Sequence, residues 1–456
     1  MRRLLLSVWM ATAILSAGLV RGEAFKDGET VCFLGDSITN RGRFQNIVYN
    51  YYLTRFPGWT LRFVNAGRSG DSAGGALGRL EEDVVAAKPT SVAVMFGMND
   101  VGRGSYVANP TESQKAAQLR SLEGYGANME KLVGRIRAEA GEPKLIFITP
   151  SPFDQTAVND RNNNQPGCND GLGRCAAIVR DLAAKNKGTV VDFHGPMTTF
   201  NLDGQKADPR YTIVGPDRVH PDDPGMLMMA WLFLKTQGVS PVVSKVTVDA
   251  AAARAAECVN AEVTAVAKKG GGVTFTVLEK ALPLPVEPGA KPVLARLPIE
   301  KDLNQELLAV AGLANGTYEV RVDGAAAGRH SAAELAQGIN LAFNEATPQC
   351  KQAQGVAKLN EQRRDAEVQA RSLLNTRRWM QSHYKINVED PAAVQAHYDS
   401  FKDKTEYSAA MALNYIKRWP QYSDFLKKAA QYEQAMLASR TPVPHVYTVE
   451  PASLTK

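Results

Sequence analysis

The first half of this 456-residue chain predicts an α/β layer built on a doubly wound parallel sheet, and three observations predict it. Short apolar runs, "TVCFL", "LRFVNA", "SVAVMF", "KLIFIT" and "TVVDF", recur between residues 25 and 240. They do not alternate with polar residues, which is the pattern of strands buried on both faces. Longer segments of helical character separate them and supply the crossovers that parallel strands require.

Ligands of such sheets bind beyond the carboxyl ends of the strands. The unusual polar clusters all fall there. "GDSITN" follows the first run, "GRSGDSAGG" the second, "GMND" the third, and the long "SPFDQTAVNDRNNNQPGCNDGLGRC" the fourth. The helical "PGMLMMAWLFLKTQG" packs on the sheet and closes the layer, which is assigned to residues 23–242. Residues 243–345 read as a β-rich unit, with a hairpin in "AEVTAVAKKGGGVTFTVLE" and a strand in "NGTYEVRVDG". The Pro-rich "ALPLPVEPGAKPVLARLP" between them reads as a loop or linker. Residues 346–456 return to a helical pattern with many long polar side chains and end in an extended tail.

The opening "MRRLLLSVWMATAILSAGLVRGEA" has a basic start, an apolar run and small residues near Gly22 and Ala24. It reads as a secretory signal over residues 1–22, with an uncleaved anchor as the rival. The protein is expected to be secreted or periplasmic, without stable membrane insertion after cleavage. The net charge of +6 includes three arginines of this leader, and the remaining basic residues are interleaved with acids. No nucleic-acid partner is expected. Five cysteines in an exported chain invite pairing, and Cys168 with Cys175 and Cys258 with Cys350 are the suspected bridges. Cys32, inside an apolar strand, is expected as a buried free thiol. The cysteine and histidine spacings fit no zinc site, and no metal or cofactor is expected. The oligomeric state does not follow from the sequence.

"Gly-Asp-Ser" occurs twice, at residues 35–37 and 70–72. A strand that ends in Gly35 can turn sharply and present Ser37 at the mouth of the sheet, although a serine after a strand is also a common helix cap. Ser72 spells Gly-x-Ser-x-Gly but sits several residues beyond its strand, in a loop better suited to offering backbone N–H groups to an anion. A serine nucleophile needs a base and an orienting carboxylate. Asp217 and His220, three apart in "PDRVHPDD", supply one pair; Asp192 and His194 in "VVDFHGP" are the rival. Asn99 in "FGMND" can aim its amide across the sheet edge toward a developing oxyanion.

Taken in order, "FLGDSIT", "NAGRSGD", "FGMND" and "DRVH" resemble the four motif blocks of the SGNH hydrolases, also called GDSL-type esterases. The resemblance spans about residues 28–240 and implies a flavodoxin-like sheet. It also implies Ser37 as nucleophile, His220 as base, Asp217 as its orienting carboxylate, and Ser37, Gly70 and Asn99 as oxyanion donors. Asp36, Arg68 and Gly97 are taken as further substrate-facing residues, with Arg68 replacing an uncharged residue. The expected activity is hydrolysis of short acyl esters, foremost O-acetyl groups on poly- or oligosaccharides. A lipid, aryl or thioester substrate is the alternative, and a non-catalytic glycan-binding protein a further one. Aromatic residues of the accessory region, Tyr318 and Trp379 among them, either stack on sugar rings or fill cores.

Overall fold

The computed structural model describes residues 22–452. The expected leader lies, but for its last residue, outside them. All five apolar runs are strands: β1 (Thr30–Gly35), β2 (Arg62–Gly67), β3 (Ser91–Met95), β4 (Lys144–Ile148) and β5 (Thr189–Val191). They pair in parallel in the order β2-β1-β3-β4-β5, so the winding reverses between β1 and β3. That reversal opens a crevice at the carboxyl edge.

The main helices of this layer are α1 (Ser37–Asn40), α2 (Arg43–Arg55), α3 (Glu112–Glu139), α4 (Cys168–Asn186), α5 (His194–Gln205) and α6 (Asp223–Thr236). β1 shows why its run is apolar throughout. Val31 and Phe33 enter a core with Phe44 of α2 and Phe233 of α6, while Cys32 and Leu34 enter another with Tyr125 of α3 and Val179 of α4. Successive side chains point to opposite faces, and both faces are covered. Each large apolar side chain so buried contributes about 1.5–3 kcal/mol relative to exposure.

Beyond the layer stand β6 (Val242–Asp249), β7 (Arg254–Val259), β8 (Ala261–Lys269), β9 (Gly272–Glu279), β10 (Gln305–Ala311), β11 (Thr317–Val322), β12 (Ala325–Ser331), β13 (Ile339–Asn340) and β14 (His445–Pro451). They form two sheets, β13-β10-β6-β7 and β12-β11-β14-β9-β8. Val246, Val248 and Val310 of the first share a core with Phe275, Val320 and Val449 of the second, and Tyr318 is buried there too. The expected extended tail is therefore a paired strand, since β14 lies between β9 and β11. The helices α7 (Pro348–His383), α8 (Pro391–Ser400), α9 (Tyr407–Arg418) and α10 (Tyr422–Ser439) are an excursion between two strands of the β-rich unit.

The Pro-rich stretch is not a free linker. Leu284, Val286, Val293 and Leu297 are buried in the core of α2 and α6, and Leu282 N donates to Thr54 O at 2.8 Å. Its apolar residues bury, while its prolines supply no N–H for a ladder. α7 in turn covers α2. Asn360 Nδ2 donates to Asn50 Oδ1 at 2.7 Å across that contact, which leaves α2 buried along nearly its whole length. Among the described residues no helix is long and apolar enough to cross a membrane.

The disulfide expectation is overturned: all five cysteines are free. Cys168 and Cys175 do not bracket a loop but lie two turns apart on α4, roughly 10.5 Å along its axis. A disulfide spans Cα atoms only about 4.4–6.8 Å apart. The glycines of "CNDGLGRC" hid a helical stripe in which Cys168, Leu172, Cys175 and Val179 repeat at spacings of four, three and four, all buried. Cys258 is exposed on β7, whereas Cys350 is buried in the first turn of α7. Denatured without reductant, the protein should release five thiols to a thiol reagent. Three or fewer would mean that a bridge exists.

Candidate active site

The serine of the first Gly-Asp-Ser reaches the crevice because β1 and α1 meet with no room to spare. A Cβ on Gly35 would lie 2.2 Å from Thr39 Oγ1 and 2.6 Å from Met95 O, so only glycine passes. Asp36 caps α1, its Oδ1 accepting from Ile38 N at 2.9 Å. Ser37 is thus the first helical residue rather than the cap, and its hydroxyl is free for other work.

That hydroxyl lies 2.8 Å from His220 Nε2. His220 Nδ1 is 2.6 Å from Asp217 Oδ2, and Asp217 Oδ1 accepts from the backbone N–H of Val219 at 3.0 Å and of His220 at 2.9 Å. A carboxylate that takes the Nδ1 proton leaves Nε2 as an acceptor for the serine. The segment is a turn closed by a bridge between Val214 and Pro221, not a helix. Arg218 within it is left-handed, with φ +64°. Its buried guanidinium donates to Asp154 O at 2.7 Å, Ala157 O at 2.9 Å and Asn163 Oδ1 at 2.9 Å. These bonds hold a strained turn against the loop after β4. Sequence reasoning missed Arg218 as the positioning residue. The only signal was its place between Asp217 and His220.

The rival pair does not assemble. His194 Nε2 sits 3.0 Å from Asn169 O, and Asp192 binds Arg180 at 2.9 Å and the Thr149 hydroxyl at 2.8 Å. Ser72 is likewise engaged: it caps the turn Ala73–Ala76 through an acceptor bond from Gly75 N at 3.1 Å. Its neighbour Asp71 pairs with Arg79 Nε at 2.7 Å. Arg79, also missed, donates to Ala66 O at 2.7 Å and Gly35 O at 3.2 Å and so ties the ends of β1 and β2 together.

Asn99 Nδ2 donates to Asp71 O at 2.8 Å, which brings the third motif block onto the second. One hydrogen of that amide remains. Among the described residues neither Ser37 N nor Gly70 N donates to a protein acceptor. Two of the substrate-facing expectations are corrected. Asp36 is 2% exposed, and its carboxylate is spent on the α1 cap. Gly97 is buried against Pro150, which a Cβ would approach to 3.1 Å, and its N–H goes to Asp100. Arg68 is half-buried, with a guanidinium that forms no ion pair among the described residues.

Charge around the site favours a neutral base. Burial depresses the His220 pKa below its usual 6.5; the Asp217 hydrogen bond opposes this, and the positive charges of Arg41 and Arg103 add to it. Burial raises the Asp217 carboxyl, but the hydrogen bonds from His220 and Val219 outweigh it and the net shift is down. Beneath them, burial chiefly pushes Asp36 up to about 7 and Asp100 up to about 6, with the nearby Asp71 charge adding to both. A neutral imidazole against an ionised Asp217 is the state in which His220 can accept a proton.

Residues 33–227 match the GDSL-like Lipase/Acylhydrolase family. This segment is a GDSL-like hydrolase domain. The chain is a carboxylic ester hydrolase. The chain is 28% identical, over 233 residues, to an acetylxylan esterase of Geobacillus stearothermophilus, a match of 48% of this chain and 98% of that protein. A solved structure of an acetylxylan esterase from the same organism, Axe2, is 25% identical and covers 49% of this chain and 98% of its own, with a TM-score of 0.37. A solved structure of BT4096, a gut microbial diltiazem-metabolizing enzyme, is similar well beyond the GDSL-like domain. It is 28% identical, covers 95% of this chain and 99% of its own, and gives a TM-score of 0.84. The β-rich unit and the helices are thus part of a shared architecture.

The kcat/KM for ester hydrolysis should fall as pH drops through the His220 pKa, with a midpoint below 6.5. Arg41→Gln removes a positive charge that disfavours the imidazolium, so it should move the midpoint upward. A pH–rate profile in which the midpoint moves downward would contradict this assignment.

Proposed function

We propose that the protein removes acetyl groups from acetylated sugars, with Ser37 as nucleophile, His220 as general base and acid, and Asp217 as the carboxylate that orients it. The observation that carries the chemistry is the unbroken hydrogen-bonded relay Ser37–His220–Asp217, together with the Ser37 and Gly70 backbone N–H groups, which have no protein partners among the described residues. Ser37 Oγ attacks the ester carbonyl as His220 Nε2 takes its proton. The carbonyl oxygen gains the negative charge and accepts from Ser37 N, Gly70 N and the remaining Asn99 amide hydrogen. As the tetrahedral adduct collapses, His220 returns the proton to the departing alcohol. Water, deprotonated by His220, then attacks the acyl-serine; as that adduct collapses, His220 returns the proton to Ser37 Oγ and acetate leaves.

The acetyl-sugar substrate is supported by the similarity of about half of this chain to an acetylxylan esterase. A second reading, a small non-sugar ester, draws on the diltiazem-metabolizing relative, which matches nearly the whole chain. Both are tested by following acetate release from acetylated xylo-oligosaccharides alongside hydrolysis of p-nitrophenyl acetate, butyrate and octanoate. The acetyl-sugar reading expects efficient release from the oligosaccharides and a preference for acetate over octanoate. Ser37→Ala should lower kcat by about 10⁴-fold or more, whereas Ser72→Ala stays within about threefold. A preference for octanoate, or activity confined to p-nitrophenyl esters, would sink it.

Export is part of the same proposal, with residues 1–22 as a cleaved leader. Mass measurement of the protein from the periplasm or medium of its natural host should then give a chain that starts at Glu23. A chain retaining Met1 and recovered with the membrane would point to an anchor.

A further inference from the structure

Beside the Gly70 loop, a cavity of about 370 Å³ opens between the α/β layer and the C-terminal helices. Arg68 and Gly70 form its near wall; Asn375 and Trp379 of α7 and Tyr407 and Met411 of α9 form the far one. It also reaches Asn40, the last residue of the short helix α1 that Ser37 begins, although Ser37 itself does not line it. A larger cavity, about 540 Å³, runs along β2 among pairs such as Arg378 with Glu82. It includes neither Ser37, His220 nor Gly70.

The cavity beside Gly70 is prepared for a ligand. Asn375 is only 8% exposed, yet its amide has no hydrogen-bond partner among the described residues and lines the cavity. The amide atoms themselves open onto the cavity, so they are available to bond a group that enters it. The Arg68 guanidinium opposite is similarly without an ion pair. Trp379 is held in place by the rings of His383, nearly parallel at 6.0 Å between centroids, and Tyr384, edge-on at 4.7 Å. Tyr407 is 62% exposed at the rim.

We propose that this cavity is the subsite for the alcohol half of the ester and that it takes a sugar ring. Trp379 and Tyr407 face the C–H surface of the ring, and Arg68 and Asn375 take its hydroxyls. Size separates the two halves of the ester. The cavity equals on the order of ten water volumes, far more than an acetyl methyl fills. The mixture of two aromatic rings with unpaired donors fits a polyhydroxylated ring better than an acyl chain, which offers nothing to Arg68 or Asn375. The proposal rests on the acetyl-sugar reading for its substrate and extends it to residues outside the GDSL-like domain.

Steady-state kinetics on two acetyl esters tests it: acetylated xylo-oligosaccharide, which carries the ring, and ethyl acetate, which does not. Tyr407→Ala, at an exposed position, and Asn375→Ala should each raise KM for the oligosaccharide about tenfold. Trp379→Ala should raise it further, with kcat changed much less. The ratio of kcat/KM between oligosaccharide and ethyl acetate should fall at least fivefold in all three. An equal loss on both esters, or no loss on either, would overturn the subsite. If the wild type cleaves ethyl acetate but not the oligosaccharide, the substrate reading fails by itself. The subsite is then decided by unacetylated xylobiose as a competitive inhibitor of ethyl acetate hydrolysis. Inhibition that Tyr407→Ala abolishes would uphold it, and absence of inhibition in the wild type would end it.

Discussion

The functional half of the molecule depends on one hydrogen bond, 2.8 Å long, between side chains 183 residues apart in sequence, Ser37 Oγ and His220 Nε2. Neither partner is fixed by its own segment alone. Ser37 is placed by Gly35 threading between Thr39 and the end of β3, and by Asp36 taking over the cap. His220 is placed by a turn whose left-handed Arg218 is anchored to the loop after β4. The parallel sheet brings the two together because its winding reverses between β1 and β3, and the crevice opens at that point.

Electrostatics and architecture reinforce one another there. The motif loops are cross-tied by Asp71, Arg79, Asn99 and Asp100, so the carboxylates that bind the loops also crowd beneath the serine. Burial raises Asp36 and Asp100 toward neutrality, which relieves part of that crowding. Burial, with a smaller contribution from the positive charges of Arg41 and Arg103 nearer the surface, lowers the His220 pKa and favours the neutral imidazole. The C-terminal helices brace α2 from outside through Asn360 and furnish the far wall of the cavity beside Gly70. They are returned to the β-rich unit by β14, so the helical excursion is tied to that unit at both of its ends.

What the sequence disclosed follows the range of each physical signal. Strand runs and Asp217 with His220 are local patterns, and they appear where expected. Ser37 and Ser72 differ in what each hydroxyl meets, His220 Nε2 for the one and the Gly75 N–H for the other, and only their distance from the preceding strand distinguished them in the sequence. The Pro-rich strap looked like a linker because proline spacing says nothing about which cores lie nearby. The Cys168–Cys175 bridge failed because two glycines masked a 4-3-4 stripe. Asp36 and Gly97 sit inside motif blocks, yet a motif does not tell which of its residues faces the crevice and which supports it. Arg218 acts through partners 55 to 64 residues away and Arg79 through carbonyls 13 and 44 residues away, and no periodicity records such contacts.

The most direct test of the account is to identify the residue that reacts with a fluorophosphonate, by mass spectrometry of the labelled and digested protein. Activation of Ser37 by His220 predicts a single adduct on the peptide that carries Ser37, formed in the wild type and lost in His220→Ala. An adduct on Ser72, labelling that survives the loss of His220, or no labelling at all would contradict it.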